Sequence, residues 1–294
     1  MITVMGATGK TGGAAAERLL SAGKKVRAIG RSADRLQALV KKGAEAAVGD
    51  VNVGPFLAAA FQGAEAVYVM IPPDYAQPDL RKYYNRVGET IEGALKQSAV
   101  RKVVFLSSLG AELPAGTGPI LGLHDLEERF RKLNIDLLIL RPGYFYDNLY
   151  SSLGLIKHQG VNGGAIKPDV PVAMTATQDI GAAAADELAG GQFKGTVVRE
   201  LLGPRDYTMA EATRILGGKI GKPDLKYVQF PDADFARALM QFGFSQGAAN
   251  AFVEMSHSFN EGKIRSLEGR NPRNTMPTPL ETFADQWAAA YRAM

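Results

Sequence analysis

Cysteine is absent from the 294 residues. That one absence removes disulfides, thiolate metal sites, thiol nucleophiles and thiol redox sensing, and it fits a reducing compartment. Histidine is nearly as scarce. His124, His158 and His257 stand far apart with no ligand spacing, so no metal centre is expected. No uninterrupted apolar run is long enough to span a bilayer, and no basic segment precedes the apolar run that begins at Ile2. Neither a membrane partner nor a secretory signal is therefore expected, and the expected location is cytoplasmic. Strong charge of one sign is missing too, with 34 Lys and Arg against 30 Asp and Glu. The clusters Arg81-Lys82…Arg86 and Arg129…Arg131-Lys132 read as solvated helix faces, so no direct nucleic-acid partner is expected. Small anionic molecules are the more economical partners. No internal repeat or low-complexity tract stands out.

What is present is an ordinary globular composition, 46% hydrophobic and 22% charged, in a chain long enough to bury a full core. The first half alternates short β-rich runs with helical patterns, the mark of βαβ units and a parallel sheet. The runs Ile2–Met5, Lys25–Gly30, Ala44–Val48, Ala66–Ile71, Lys102–Leu106 and Asp136–Leu140 read as strands. Helical patterns lie between them at Thr11–Ala22, Ala33–Lys42, Leu80–Gln97 and Asp125–Leu133, with Gly23 and Gly43 placed to turn left-handed after the first two. After Arg141-Pro142-Gly143 aromatics concentrate at Tyr144, Phe145, Tyr146 and Tyr150, and Gly and Pro punctuate Gly160 to Pro171, as in an excursion that lines a pocket. A helix at Asp179–Gly190 and a strand at Thr196–Leu202 return to the sheet. Helices follow at Thr208–Gly217, Asp232–Phe242, Gln246–Phe259 and Leu280–Ala293. The expected fold is α/β, a Rossmann-type doubly wound parallel sheet with a smaller, mostly helical C-terminal substrate lobe. Residues 1–150 and about 172–203 form the core; 151–171 and 204–294 form the lobe.

One motif carries chemistry. The first strand runs into Gly6-Ala7-Thr8-Gly9-Lys10-Thr11-Gly12-Gly13 and then a helix. Gly6 permits a tight turn off the strand, Gly9 lets backbone approach a pyrophosphate, and Gly12 lets the helix pack against the sheet. Gly6, Thr8, Gly9, Lys10, Thr11 and Gly12 are thus the candidates for holding a dinucleotide at the positive end of the helix dipole. Gly9-Lys10-Thr11 also looks like the end of a triphosphate-binding loop, but that motif needs glycine where Val4 stands. Cofactor choice is read after the second strand, where Ile29-Gly30-Arg31-Ser32 offers a guanidinium and a hydroxyl, and no carboxylate appears before Asp34. That pattern suits a 2′-phosphate, so NADP(H) is expected in preference to NAD(H). The alternative is that Arg31 is only a surface residue at a helix entrance.

The chain resembles the NmrA-like branch of the atypical short-chain dehydrogenase/reductase superfamily over nearly its whole length. The motifs are G-A-T-G-K-T-G-G at 6–13, V-R-A-I-G-R at 26–31, G-D-V at 49–51 and V-V-F-L-S-S at 103–108. They continue with L-R-P-G-Y-F-Y-D-N at 140–148, D-I-G-A-A-A-A-D-E-L at 179–188, G-P-R-D-Y-T-M-A-E-A-T at 203–213 and P-L-E-T-F-A at 279–284. By that resemblance Asp50 and Val51 lie near the adenine, and Ile71, Pro72 and Pro73 line the nicotinamide ribose. Ser107, Ser108, His124 and Pro142-Gly143-Tyr144 face the nicotinamide end, with Phe145 and Asn148 at the floor of the substrate cleft. Ser107, His124 and Tyr144 are the catalytic candidates; His124, Tyr144, Phe145 and Asn148 are the substrate-binding ones. Structural roles stay open beside these: a turn at Ser107-Ser108, a strand end at Pro72-Pro73, a helix start at His124 and a left-handed turn at Asn148.

The superfamily's usual acid, a tyrosine with lysine four residues on, is missing. None of the ten tyrosines has that lysine: Tyr144 is followed by Asn148, Tyr146 by Tyr150 and Tyr207 by Glu211. Two readings follow. One is a reductase of a quinone-like or other small planar acceptor, in which hydride transfer is the cofactor's chemistry and the protein orients and dries the site. The other is a non-catalytic sensor that binds the dinucleotide and signals to a protein partner. A serine-hydrolase reading of Gly243-Phe244-Ser245-Gln246-Gly247 lacks the preceding strand, and Ser245 reads more simply as a helix N-cap. An epimerase or dehydratase usually leans on the missing tyrosine–lysine pair.

Overall fold

A computed structural model describes residues 1–294. The first half runs β1 (Ile2–Val4), α1 (Lys10–Ser21), β2 (Val26–Gly30), α2 (Ala33–Val40), β3 (Glu45–Val48), α3 (Gly54–Phe61), β4 (Ala66–Val69), α4 (Leu80–Gln97), β5 (Lys102–Leu106), α5 (Ile120–Phe130) and β6 (Asp136–Pro142). There follow β7 (Tyr144–Phe145), a 3₁₀ turn (Tyr146–Ser152), α6 (Leu153–Gln159), β8 (Asn162–Gly164), β9 (Val172–Thr175), α7 (Thr177–Gly190) and β10 (Thr196–Leu201). The chain ends with β11 (Asp206–Tyr207), α8 (Met209–Lys219), β12 (Tyr227–Gln229), α9 (Asp232–Gln241), α10 (Gln246–Asn260) and α11 (Leu280–Ala293). Seven strands form one parallel sheet in the order β10-β6-β5-β4-β1-β2-β3. The order reverses between β1 and β4, and a crevice opens beyond the carboxyl ends of the strands there.

The sheet is buried on both faces, so its strands read as apolar runs. Period-two alternation sorts β5 between two cores. Val103 and Phe105 pack with α3, α4 and α5, while Val104 and Leu106 pack with α1 and α7. The second layer is held close by small residues: a Cβ on Gly181 would lie 2.5 Å from Ala14 Cβ and 2.5 Å from Thr11 O. A third core lies between the strand ends of the sheet and the C-terminal helices, and draws on both. There Trp287, Tyr146 and Tyr207 are fully buried, and the Trp287 indole donates to Leu149 O at 2.9 Å. No helix is long and apolar enough to cross a membrane.

Helix ends follow local chemistry where a cap is present. Ser32, Asp79, Thr208 and Ser245 each accept from a backbone N–H three residues on. Gly23 and Gly43 take positive φ after α1 and α2. The Ser245 hydroxyl therefore starts α10, and no nucleophile elbow is present. The structure departs from the sequence reading in one helix start, adds one helix, and excludes one alternative. Helix α5 begins at Ile120, five residues earlier than the sequence pattern suggests, because Pro119 with its fixed φ prepares the entry; His124 thus stands inside the helix. Helix α3 was not anticipated: it is apolar nearly all round, so it has no amphipathic period to read. Asn148 lies in the 3₁₀ turn and is not left-handed, since Ala99 is the one non-glycine residue with positive φ.

Candidate functional site

The chain leaves β1 and reverses at Gly6, whose φ of +62° lies in the left-handed region. The Gly9 N–H closes the turn by donating to Gly6 O at 2.8 Å. Below it a Cβ on Gly12 would stand 2.4 Å from Gly6 O and 2.6 Å from Met5 O, so α1 can lie this close to the strand only with glycine there. Gly9 caps α1 without a side chain, and no acidic residue stands in the first turn. The N–H groups of Lys10, Thr11 and Gly12 consequently donate to no backbone or side-chain acceptor. Unpaired donors at a helix's positive end, on a turn kept bare of side chains, are what a pyrophosphate requires, and the residues fit a dinucleotide.

Arg31 follows β2 on the exposed surface beside this turn. Arg35, in the first turn of α2, reaches back so that its Nη2 donates to Thr8 O at 3.1 Å. Sequence reasoning missed Arg35. A usable signal exists, because a cation in the first turn opposes the helix dipole and calls for another reason to be there. After β3, Gly49 N–H donates to Gly30 O at 3.0 Å, which sets Asp50 and the buried Val51 beside the end of β2. The Asp50 carboxylate accepts from the backbone and side chain of Asn52, at 2.9 and 2.8 Å.

Beyond the ends of β1, β4, β5 and β6 lies a cavity of about 460 Å³. It gathers Gly9, Lys10, Thr11, Ile71, Pro73, Ser107, Ser108, Pro142, Gly143, Tyr144, Phe145 and Asn148, which are scattered over 140 residues of sequence. Gly6, Thr8 and Gly12 form the turn beneath it, and Pro72 O accepts from the Tyr83 hydroxyl at 2.9 Å. His124 does not line this cavity. Its Nδ1 is 2.8 Å from Ala111 O, and because a carbonyl only accepts, Nδ1 carries the hydrogen and ties α5 to the loop after β5.

The opposite wall was not foreseen. Tyr75, Leu123, Phe252, Met255, Phe259 and Ile264 close the cavity from three separate segments. Tyr75 stacks on Phe244 with centroids 4.6 Å apart and meets Phe252 edge-on at 5.2 Å. The start of α10 is fastened to the loop after β4: Ser245 N–H donates to Tyr75 O at 2.9 Å and its hydroxyl to Gln77 O at 2.6 Å. The α9–α10 hairpin is thereby held as a roof. A more polar groove of about 600 Å³ adjoins across Lys10 and Asp147. It faces α7 and α11, off the strand ends, and lacks the apolar walls of the first.

Only Lys10 and Asp147 bring charge to the lining of the 460 Å³ cavity. Lys10 Nζ lies 3.7 Å from the Asp147 carboxylate and 5.4 Å over the Tyr150 ring, and Asp147 accepts from Thr177 Oγ1 at 2.7 Å. Burial pushes the Tyr144 hydroxyl up to about 12, with the neighbouring Asn148 side chain opposing the rise. Ser108 Oγ donates to Leu109 O at 2.9 Å. Ser107 Oγ donates to Glu127 Oε1 at 2.6 Å, and Glu127 takes a two-pronged bond from Arg141, Nε at 2.9 Å and Nη2 at 2.7 Å. Burial pulls the Arg141 guanidinium down, but Glu127, Glu112 and Glu200 outweigh it and hold the group above its ordinary value.

Known proteins resemble this chain along its whole length. The chain is 28% identical over 299 residues to a (4-alkanoyl-5-oxo-2,5-dihydrofuran-3-yl)methyl phosphate reductase of Streptomyces griseus, covering 99% of this chain and 98% of that protein. It is 25% identical over 297 residues to an NAD(P)H azoreductase of Xenophilus azovorans, covering 100% of this chain and 98% of that protein. Its fold superposes on an NADPH-dependent quinone oxidoreductase from Escherichia coli, solved with NADPH, with a TM-score of 0.83, 24% identity and coverage of 97% and 99%. The model of the NmrA-like family matches residues 1–283, which carry both the glycine turn and the aromatic roof, and the chain belongs to that family.

Proposed function

We propose that the chain is an oxidoreductase that uses NADPH, in preference to NADH, to reduce a quinone-like or other small planar acceptor. One observation carries this reading: the aromatic-walled cavity opens directly onto the bare glycine turn, so a dinucleotide held at Lys10, Thr11 and Gly12 extends into it. When bound, the dinucleotide supplies the hydride. The chain's residues do the rest. Arg31 and Arg35 face the 2′-phosphate, Asp50 and Val51 the adenine, and Ile71, Pro72 and Pro73 the ribose. Ser107, Ser108, Pro142 and Gly143 hold the nicotinamide end. Tyr144, Phe145 and Asn148, with the lobe formed by residues 151–171 and 204–294, enclose the acceptor and exclude water.

Tyr144 is the proposed hydrogen-bond donor to the acceptor. The protons of Ser107 and Ser108 are committed to Glu127 and Leu109 O, whereas Tyr144 keeps its proton through the neutral range. No lysine stands by to make Tyr144 a stronger acid. That arrangement suits an acceptor whose reduced form is stabilised by its own conjugation, and the names of the relatives, an azoreductase and a quinone oxidoreductase among them, support this reading. The test is NADPH consumption against a panel of quinones, azo compounds and small carbonyls. Turnover with a conjugated acceptor, faster with NADPH than with NADH, is expected. Tight binding without turnover on any acceptor would overturn the enzyme reading in favour of a cofactor-sensing protein with a protein partner.

A further inference from the structure

We propose that Glu127 and Arg141 are positioning residues that hold Ser107 as a hydrogen-bond acceptor for the carboxamide N–H of the nicotinamide, an inference that rests on the dinucleotide reading above. The three side chains come from adjacent elements: Ser107 from the end of β5, Arg141 from β6 and Glu127 from α5. Ser107 N–H donates to Leu140 O at 2.8 Å, which fixes the serine beside β6. Glu127 is 2% exposed and Arg141 is 8% exposed. Every bond that reaches this carboxylate is donated to it. Oε1 takes Ser107 Oγ and Arg141 Nε; Oε2 takes Arg141 Nη2 and, at 3.3 Å, Arg131 Nη2. An ionised carboxylate accepts only, so the proton on Ser107 Oγ is turned away from the cavity. What Ser107 presents to the cavity is lone pairs.

The direction of that hydroxyl decides what it can bind. A carbonyl oxygen of an acceptor gains nothing from Ser107, because both atoms would accept. A primary amide does gain, and at the nicotinamide end of the cleft the carboxamide provides one. Stability alone does not account for the cluster. A buried ion pair of this kind is often matched or bettered by apolar residues of the same volume. Behind a cavity hydroxyl, it sets the sense of a hydrogen bond.

The experiment is calorimetric titration of the full chain with two ligands, NADPH and 2′-phospho-ADP-ribose, the latter ending before the nicotinamide. The proteins are the wild type, Ser107→Ala, Glu127→Gln and the double variant. Each single variant is expected to weaken NADPH about fivefold, the order of one net hydrogen bond, and to leave the truncated ligand within about twofold. The double variant is expected to match Ser107→Ala, because Glu127 acts through Ser107. Equal losses on both ligands, or losses that add in the double variant, would overturn the proposal. Should Glu127→Gln fail to fold, Arg141→Lys keeps the charge, gives up the fork and carries the same expectation. A wild type that binds neither ligand would instead remove the dinucleotide reading beneath it.

Discussion

The two ends of the cleft are built from different materials. At the glycine turn the surface offered to a ligand is mostly main chain, the N–H groups of Lys10, Thr11 and Gly12, on a turn whose close fit depends on the missing side chains of Gly6, Gly9 and Gly12. At the far end it is almost all side chain, brought together from the loop after β4, α5, the β6–β7 corner and α10. Main-chain recognition is rigid and tolerates little, since a backbone oxygen cannot swing aside as a side chain can. A wall of Tyr75, Phe252, Met255 and Phe259 can repack around a different occupant. On the reading proposed above, one end suits a single invariant ligand and the other suits acceptors of differing shape.

Substitutions at the two ends should separate cleanly if this contrast holds. The largest effect is expected from Gly12→Ala. Its new Cβ would fall 2.4 Å from Gly6 O, and overpacking of this kind costs about 1–3 kcal/mol. Thermal unfolding should show that loss, and NADPH titration should show binding weakened on the order of a hundredfold as the N–H groups move off the pyrophosphate. A variant that melts and binds like wild type would break the contrast.

An intermediate effect belongs to the guanidinium pair. Arg31→Ala and Arg35→Ala should each weaken NADPH by about 1.5 kcal/mol, the lower end for a hydrogen bond to a charged group because both arginines are exposed, and barely change NADH. If Arg35 alone matters, the exposed Arg31 is a surface residue and specificity is set from α2. Equal losses for both dinucleotides would leave no basis for the NADP(H) preference.

The smallest effect is expected at the roof. Phe252→Ala removes one edge-on partner of Tyr75, a loss of about 0.5–1.5 kcal/mol. It should raise KM for the planar acceptor several-fold while NADPH affinity stays level. A change in cofactor affinity as large as that in KM would mean that the roof and the glycine turn are not independent.

Much of the cofactor end was legible because its logic is local. The strand–glycine–helix order, the left-handed Gly23 and Gly43 and the Ser245 cap each depend on residues within a turn or two. The limits of α4 and α11 were readable for the same reason, since their apolar faces recur at helical spacing. Helix α3 was not, because it is apolar nearly all round, and the start of α5 was hidden by a proline-led entry. At the site, Arg35 and the roof went unseen. Their roles depend on where the sheet and the α9–α10 hairpin bring them, and no spacing in the chain announces that.

The amino-acid order by itself determined that β1 would run into a bare, anion-seeking turn, because glycine's freedom and a helix's unpaired N–H groups act over a handful of residues. It also determined that no tyrosine would carry a lysine four positions on. Only the tertiary structure decided that residues near 75, 120, 145 and 255 would share one cavity, and that the proton of Ser107 would point at Glu127. Those outcomes turn on strand order and helix docking, in which residues more than a hundred positions apart come within hydrogen-bond reach and a hydroxyl's direction is set by its buried neighbours.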